Sequence, residues 1–252
     1  MVQKAHMDAL STFKSNVAEV DRLINFDKEV LQVVTMTMED LHGHLKQKFA
    51  DERLNGARAL QVVKGIRNNE TLRTKYQAIF NQAIVLLVSH FASALGEAFR
   101  AAVSINLEST KAENLFEEEI KLTVREMRER DWNLKGSVAD LLIAKYDFTF
   151  QDMASTVRAF KNFTNIVPER DEIMNNIIAA QACRHVIVHA GGRVGERTLK
   201  QVSGAKPRTL KSSLSHGEIV HFSAGEVDAV KNDMLVFVER LSSPRSRGEA
   251  AE

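Results

Sequence analysis

The sequence predicts a mainly α-helical protein: a helical bundle with a long N-terminal helical arm and a small β-hairpin inserted before the last helix. Three observations carry this. The first proline is Pro168, and only Gly43, Gly56, Gly65, Gly96 and Gly136 of the twelve glycines precede residue 190, so two thirds of the chain can be helix with few breaks. Apolar residues recur with helical periods over most of that length. Beyond residue 190 the composition shifts, because seven glycines and two of the three prolines fall there.

The arm, residues 1–69, is read from a seven-residue repeat. Leu10, Val17, Ile24, Leu31, Met38 and Leu45 form one row, with Phe13, Val20, Val34 and Leu41 in the companion row and Asp27 interrupting it. Such a seam is one long helix, or two stacked ones, packed lengthwise against a partner helix. The β-branched cluster VVTMT, residues 33–37, is the expected place for a break. A further helix is expected from Ala50 to about Arg67.

The bundle, residues 70–242, begins with a helix over Thr71 to Val103. Its stretch AIFNQAIVLLVSHFASALGEAF is apolar on most faces, which makes it the central helix. Residues 104–114 read as a connector. LFEEEIKLTVREMRER, residues 115–130, reads as one amphipathic helix on Phe116, Ile120, Val124 and Met127, acidic at its start and basic at its end. Shorter helices follow from Val138 to about Tyr146 and from Phe150 to Asn162, the latter with Met153, Val157 and Phe160 on one face. Asp171 is placed to cap a helix that runs to about Ala190. TLKQV and GEIVHF have short alternating patterns that predict a hairpin. The last helix spans Ala224 to Leu241, and residues 243–252 are expected to be a disordered tail.

Composition bounds the function. The chain has 252 residues, 44% hydrophobic and 27% charged, with a formal charge of +1, which excludes a globally basic nucleic-acid coat. A local basic segment exists: Arg193, Arg197, Lys200, Lys206, Arg208 and Lys211 against the single acid Glu196. It reads either as a solvated loop or as a phosphate-contacting surface. The longest uninterrupted apolar run, Ala83 to Val88, is too short to span a bilayer, and the start of the chain lacks a signal-peptide pattern, so a cytoplasmic protein without membrane contact is expected. The single cysteine, Cys183, sits among small apolar neighbours and reads as buried.

The stretch QACRHVIVHAGG, residues 181–192, concentrates the chemistry. His185 and His189 have a spacing that zinc sites use, but position 186 is Val where a metalloprotease helix needs its Glu, and no third ligand is fixed nearby. The glycine-rich GGRVGER follows a helix instead of preceding one and lacks the G-K-[ST] ending, so Gly191 and Gly192 are read as a helix stop. Arg184 with His189 supplies a forked permanent charge for phosphate oxygens and a group that exchanges protons near neutral pH. On an ideal helix residues five apart point about 140° away from each other. The pair therefore meets at the helix end, or two copies of the helix pool their residues across a twofold axis. From spacing alone, a buried helix with polar passengers remains open.

CRHVIVHAGG resembles the signature of HEPN domains: an Arg, a polar residue, three more residues and a His, here Arg184, His185 and His189. The preceding FTFQDMASTVRAFKNF, the run into HAGGRV, the basic segment and the closing helix resemble the bacterial RiboL-PSP-HEPN-like branch over roughly residues 70–242. The resemblance implies an up-and-down helical bundle and a homodimer with its active site at the dimer interface. It also implies a metal-independent endoribonuclease with no cofactor, as in toxins of toxin–antitoxin or phage-defence systems, with an antitoxin or sensor protein as a partner. The alternative within the resemblance is a non-catalytic RNA-binding or protein-interaction scaffold. In the nuclease, the RNA 2′-hydroxyl attacks the adjacent phosphorus to leave a 2′,3′-cyclic phosphate. His189 moves the proton, Arg184 holds the non-bridging oxygens, and His185 orients them or binds phosphate. Arg193, Arg197, Lys200, Lys206, Arg208 and Lys211 then guide RNA to the cleft. Two features depart from the pattern. The acidic residue that some members carry on an earlier helix has only Glu97, near His90, to stand for it, and position 191 is Gly where members paired with a nucleotidyltransferase antitoxin carry Tyr.

Overall fold

A computed structural model describes residues 2–48, 56–68, 77–108 and 113–242. Among these residues the protein is mainly helical and contains no strand. The helices are α1 (Val2–Lys48), α2 (Gly56–Asn68), α3 (Gln77–Asn106), α4 (Glu113–Phe116), α5 (Val124–Glu129), α6 (Leu134–Tyr146), α7 (Met153–Phe163), α8 (Glu172–His189), α9 (Glu196–Ser203) and α10 (Ala224–Ser242). The starts of the expected helices at Ala50 and Thr71, and the expected tail, lie outside the described residues.

The central role of α3 follows from its sequence. It buries Ile84, Leu87, Phe91, Leu95 and Phe99 completely, and α1, α6, α7, α8 and α10 all pack around it. By length and composition this helix could cross a membrane; here most of its large apolar side chains are covered by neighbouring helices, with Leu86 and Ile105 exposed. Phe99 is the hub of an aromatic cluster, with ring centroids 6.0 Å from Phe148, 5.5 Å from Phe150 and 5.6 Å from Phe160. At the other end, Phe91 meets Phe13 of α1 at 5.9 Å and Phe237 of α10 at 5.8 Å. Lys231 of α10 ties α1 through both oxygens of Asp21 at 3.1 Å.

α1 is a single helix of 47 residues, about 70 Å long at 1.5 Å per residue. Its first half buries Phe13, Val17, Val20 and Ile24 in the common core. The second half carries α2, with Lys64 paired to Glu39 at 2.5 Å. The break expected at VVTMT does not occur. Thr35 and Thr37 donate their hydroxyls to the carbonyls of Leu31 at 2.7 Å and Val33 at 2.9 Å, which satisfies them within the helix. A second row on α1, Leu23, Phe26, Val30 and Val33, is exposed.

Two other expectations are corrected. Residues 115–130 do not form one amphipathic helix: α4 and α5 are separate, and residues 118–123 between them have no regular structure. Thr123 starts α5 with a capping box, its N–H donating to Glu126 Oε2 at 2.8 Å and its Oγ1 accepting from Glu126 N at 3.2 Å. Glu118 is drawn instead to Lys145 and Tyr146 of α6, and Phe116 and Val124 are left exposed. The hairpin is also absent among the described residues. TLKQV lies in α9, because Thr198 and Val202, four apart, share its buried face with Leu199 partly covered. GEIVHF meets residues 192–194 at an isolated bridge, Arg193 to Ile219, where Val194 N–H donates to Glu218 O at 2.9 Å and the N–H groups of Gly217 and Val220 donate to Val194 O and Gly192 O, both at 2.8 Å.

Phe99→Ala empties the aromatic hub and is expected to lower stability by about 3–5 kcal/mol in urea denaturation. A loss under 1 kcal/mol would show that the cluster around Phe99 is not the core.

Candidate functional site

The site is built on α8, whose two ends are fixed as the sequence indicates. Asp171 caps its start, Oδ1 accepting from Met174 N at 2.9 Å, and its other oxygen pairs with Arg240 of α10 at 2.5 Å. At the far end the N–H groups of Ala190 and Gly192 both donate to Val186 O at 3.0 Å. Gly191 and Gly192 have φ of 58° and 78°, a left-handed pair that ends the helix at little cost only with glycine. The chain then turns and enters α9, which packs on α8.

Between α3, the segment before α7, α8 and α9 lies a cavity of about 320 Å³. α3 contributes Val88, Ser89 and Ala92, the segment before α7 contributes Thr149, Gln151 and Asp152, α8 contributes Gln181, Arg184 and His185, and α9 contributes Arg197 and Gln201. Gln181, Arg184 and His185 stand at i, i+3 and i+4, the spacing of one helix face. Arg197 and Gln201 repeat the i, i+4 relation on α9.

The polar groups here are unevenly satisfied. Gln181 is only 4% exposed. Its Oε1 accepts the N–H of Met153 at 3.1 Å, which fixes the amide so that Nε2 is the donor left over. That Nε2 and the Nε of Arg184 are buried without a partner, and an unpaired buried donor costs on the order of 1–3 kcal/mol. Asn175 Oδ1 is also unpaired, lies outside the cavity lining, and nothing in the structure explains it. Asp152, the acid in the lining, is occupied at Oδ1 by the N–H of Ser155 at 2.8 Å as the cap of α7. The cavity lining carries two arginines, Arg184 and Arg197, against one acid, Asp152.

His185 is held below the ordinary imidazole range, first by desolvation and then by the neighbouring charges of His189, Arg197 and Arg184. The shift favours the uncharged imidazole. The His189 ring lies one turn along, 4.9 Å from that of His185 and tilted by 49°. His189 is exposed at the end of α8 and does not line the cavity. Within one chain, Arg184 and His185 thus share the cavity, and His189 is joined to them only through the His185 ring.

The basic segment divides. Arg197 enters the cavity, and Lys200 and Lys206 are exposed. Arg193 donates to Gly217 O at 3.3 Å. Arg208 donates to the carbonyls of Val202 and Ala205, both at 2.8 Å, and of Lys211 at 3.2 Å. Lys211 pairs with Glu226 at 2.7 Å, donates to His221 O at 2.5 Å and lies over the Phe222 ring at 4.6 Å. Arg208 and Lys211 are committed to holding the loop between α9 and α10. Glu97 pairs with Arg100 at 3.0 Å, and neither it nor His90 lines the cavity. Among the described residues no group of three His, Cys, Asp or Glu side chains converges in a way that could hold a metal ion. Cys183 is buried, and desolvation pushes its thiol up to about 12, which makes it an inert core residue.

Sequence reasoning named Arg184, His185 and Arg197 and missed Gln181, Gln201 and Ser89. The i, i+3, i+4 spacing of Gln181, Arg184 and His185 is the signal that points to the cluster. Comparison of the chain with protein-family models, with curated proteins and with solved structures found no match.

Because Arg184 carries an unpaired buried donor, Arg184→Met is expected to leave the urea midpoint unchanged or to raise stability by up to about 1 kcal/mol. A loss above 1 kcal/mol would mean that the arginine holds the fold together instead of serving a ligand.

Proposed function

We propose that the chain is a metal-independent endoribonuclease of the HEPN-like type. The observation that carries this reading is the shared cavity: Arg184 and His185 of the signature meet Arg197 there, among donors that the fold leaves unpaired. An RNA phosphate in this cavity lies beside both arginines. His185, whose lowered pKa favours the uncharged form, accepts the 2′-hydroxyl proton as O2′ attacks phosphorus. The P–O5′ bond then breaks, and His189 returns a proton to the leaving oxygen, giving a 2′,3′-cyclic phosphate and a 5′-hydroxyl. Arg184 and Arg197 carry the charge that builds on the non-bridging oxygens.

In this reading the enzyme is a cytoplasmic homodimer, and the exposed end of α8, with Val188 and His189, faces its counterpart across a twofold axis. Arg193, Lys200 and Lys206 steer the RNA strand. A toxin or phage-defence role with an antitoxin or sensor partner follows from the resemblance. The scaffold reading is favoured by one observation, the exposed apolar row Leu23, Phe26, Val30 and Val33 on α1.

The test is RNA cleavage in EDTA. Arg184→Ala, His185→Ala and His189→Ala are each expected to reduce the rate by about 100-fold or more while the fold is kept. Wild-type protein inert on every RNA tried, or full activity in all three variants, would leave the scaffold reading standing.

A base must be unprotonated, so activity rises as pH climbs through the pKa of His185. Because that pKa is depressed, the acid limb of kcat/KM is expected below the ordinary imidazole range. Arg197→Ala removes one of the neighbouring charges and should move the limb to higher pH. An acid limb that does not move in this variant would remove His185 from the role of base.

A further inference from the structure

We infer that the exposed apolar face of α1 docks a second copy of this chain, the two α1 helices running antiparallel about a twofold axis centred between residues 31 and 32. This face belongs to α1 alone, and the nuclease reading, which is built on α8, does not enter.

α1 is apolar on two sides. Toward the bundle it buries Val20, Ile24 and Thr35, with Leu31 half-buried. On its other side Leu23, Phe26, Val30, Val33, Val34 and Leu41 are all exposed, Phe26 by 66% and Val33 by 62%. At 3.6 residues per turn these six fall within an arc of about 100° and run for about 27 Å along the helix. A surface helix ordinarily keeps such an arc polar. The first four are spaced as the seam of two helices packed lengthwise. Together the six expose on the order of 500 Å² of apolar surface, within the range of patches that mark interaction sites. Two such faces pressed together bury about 1,000 Å², the size at which specific interfaces begin.

The occupant is a second copy because the face complements itself. A twofold pairing sets one residue against another and repeats the contact in reverse. Antiparallel about its midpoint, the row places Phe26 opposite the partner's Thr37, Val30 opposite the partner's Val33, and Leu23 beside the partner's Leu41. The largest side chain of the row thus meets the smallest. The Thr37 hydroxyl is turned back onto Val33 O at 2.9 Å, which leaves its methyl for the contact. Charge agrees with this direction. Arg22 borders one end of the row and Asp40 the other, both exposed, and antiparallel pairing brings Arg22 to the partner's Asp40. Arg22 already holds Glu19 at 2.6 Å, and a guanidinium keeps donors for a second carboxylate. Glu29 then faces the uncharged stretch 30–38. A parallel pair would instead set Arg22, Glu29 and Asp40 each against its own copy, like charge on like. An unrelated partner has no reason to match the face to its own reversal.

The experiment is sedimentation equilibrium of the full chain across the micromolar range. Wild-type protein is expected to dimerise there. Phe26→Glu combined with Val33→Glu, both at exposed positions, should raise the dimer Kd by about 100-fold or more while the urea midpoint stays in place. Arg22→Asp alone should weaken the dimer by about tenfold, and adding Asp40→Arg should restore it, because the reversed charges again meet across the axis. Residues 22 and 40 lie about 27 Å apart along one helix, so such a rescue comes only from a second, antiparallel copy. Val188→Glu, at the exposed tip of α8, should leave this contact unchanged. A wild-type monomer at every concentration, a Phe26→Glu, Val33→Glu protein that dimerises as wild type, or an Arg22→Asp defect that Asp40→Arg does not repair overturns the inference. A dimer abolished by Val188→Glu and untouched by the α1 substitutions also overturns it, and assigns the contact to the tip of α8.

Discussion

Burial of α8 on nearly every side is the constraint from which the rest of this structure follows. The helix packs against α3, α7, α9 and α10, and Met174, Ile177, Ala180, Cys183 and Val186 are all buried. It nevertheless carries Asn175, Asn176 and Gln181 in the same buried stretch. Buried polar groups must find partners or cost stability, and the partners here are the segments that α8 has to organise. Asn176 Oδ1 accepts the N–H groups of Thr209 and Leu210, each at 3.0 Å, and its Nδ2 donates to Asp233 of α10 at 2.9 Å. Asn175 donates to Pro207 O at 2.9 Å. The loop between α9 and α10 is thus hung from α8 by side-chain amides, and Gln181 holds the start of α7 in the same way.

Seen against that pattern, the groups that α8 leaves unpaired stand out by position. Beyond Asn175 Oδ1, they are Gln181 Nε2 and Arg184 Nε, and both residues line the same cavity. Both sit on the stretch of α8 that also carries His185, with Arg197 of α9 in the same lining. Stability spent at one place in an otherwise well-paired core is what a ligand site looks like from the folding side.

Much of the fold was legible because its signals are local. The Asp171 cap, the Gly191–Gly192 stop, the extent of α10 and the central place of α3 are each set by residues within a turn or two of the feature they control. The errors arose where a local signal competed with another. Residues 115–130 have helical apolar spacing, but Thr123 and Glu126 form a capping box that begins a new helix, and Glu118 is drawn away to Lys145 and Tyr146, a contact 27 residues distant that no window reveals. TLKQV was read with a period of two, while the Thr198–Val202 pair that α9 buries has a period near four. VVTMT stays helical because the threonine hydroxyls find carbonyls inside the helix, which β-propensity ignores.

The site was half legible for the same reason. Charged and imidazole side chains announce themselves, so Arg184, His185 and Arg197 were visible. A glutamine does not, and Gln181 acquires its meaning only from Met153, 28 positions away, which takes one end of its amide and leaves the other. That contact also resolves the awkward offset between Arg184 and His189. The face that α8 turns to the cavity runs through 181, 184 and 185, and 189 continues it past the end of the cavity to the surface, where its ring rests against His185. One helix therefore carries Arg184 and His185 at an interior cavity and an exposed imidazole, His189, at its tip. On the proposed reading a second copy would meet the first at this exposed tip, while Arg184, His185 and Arg197 already share their cavity within a single chain.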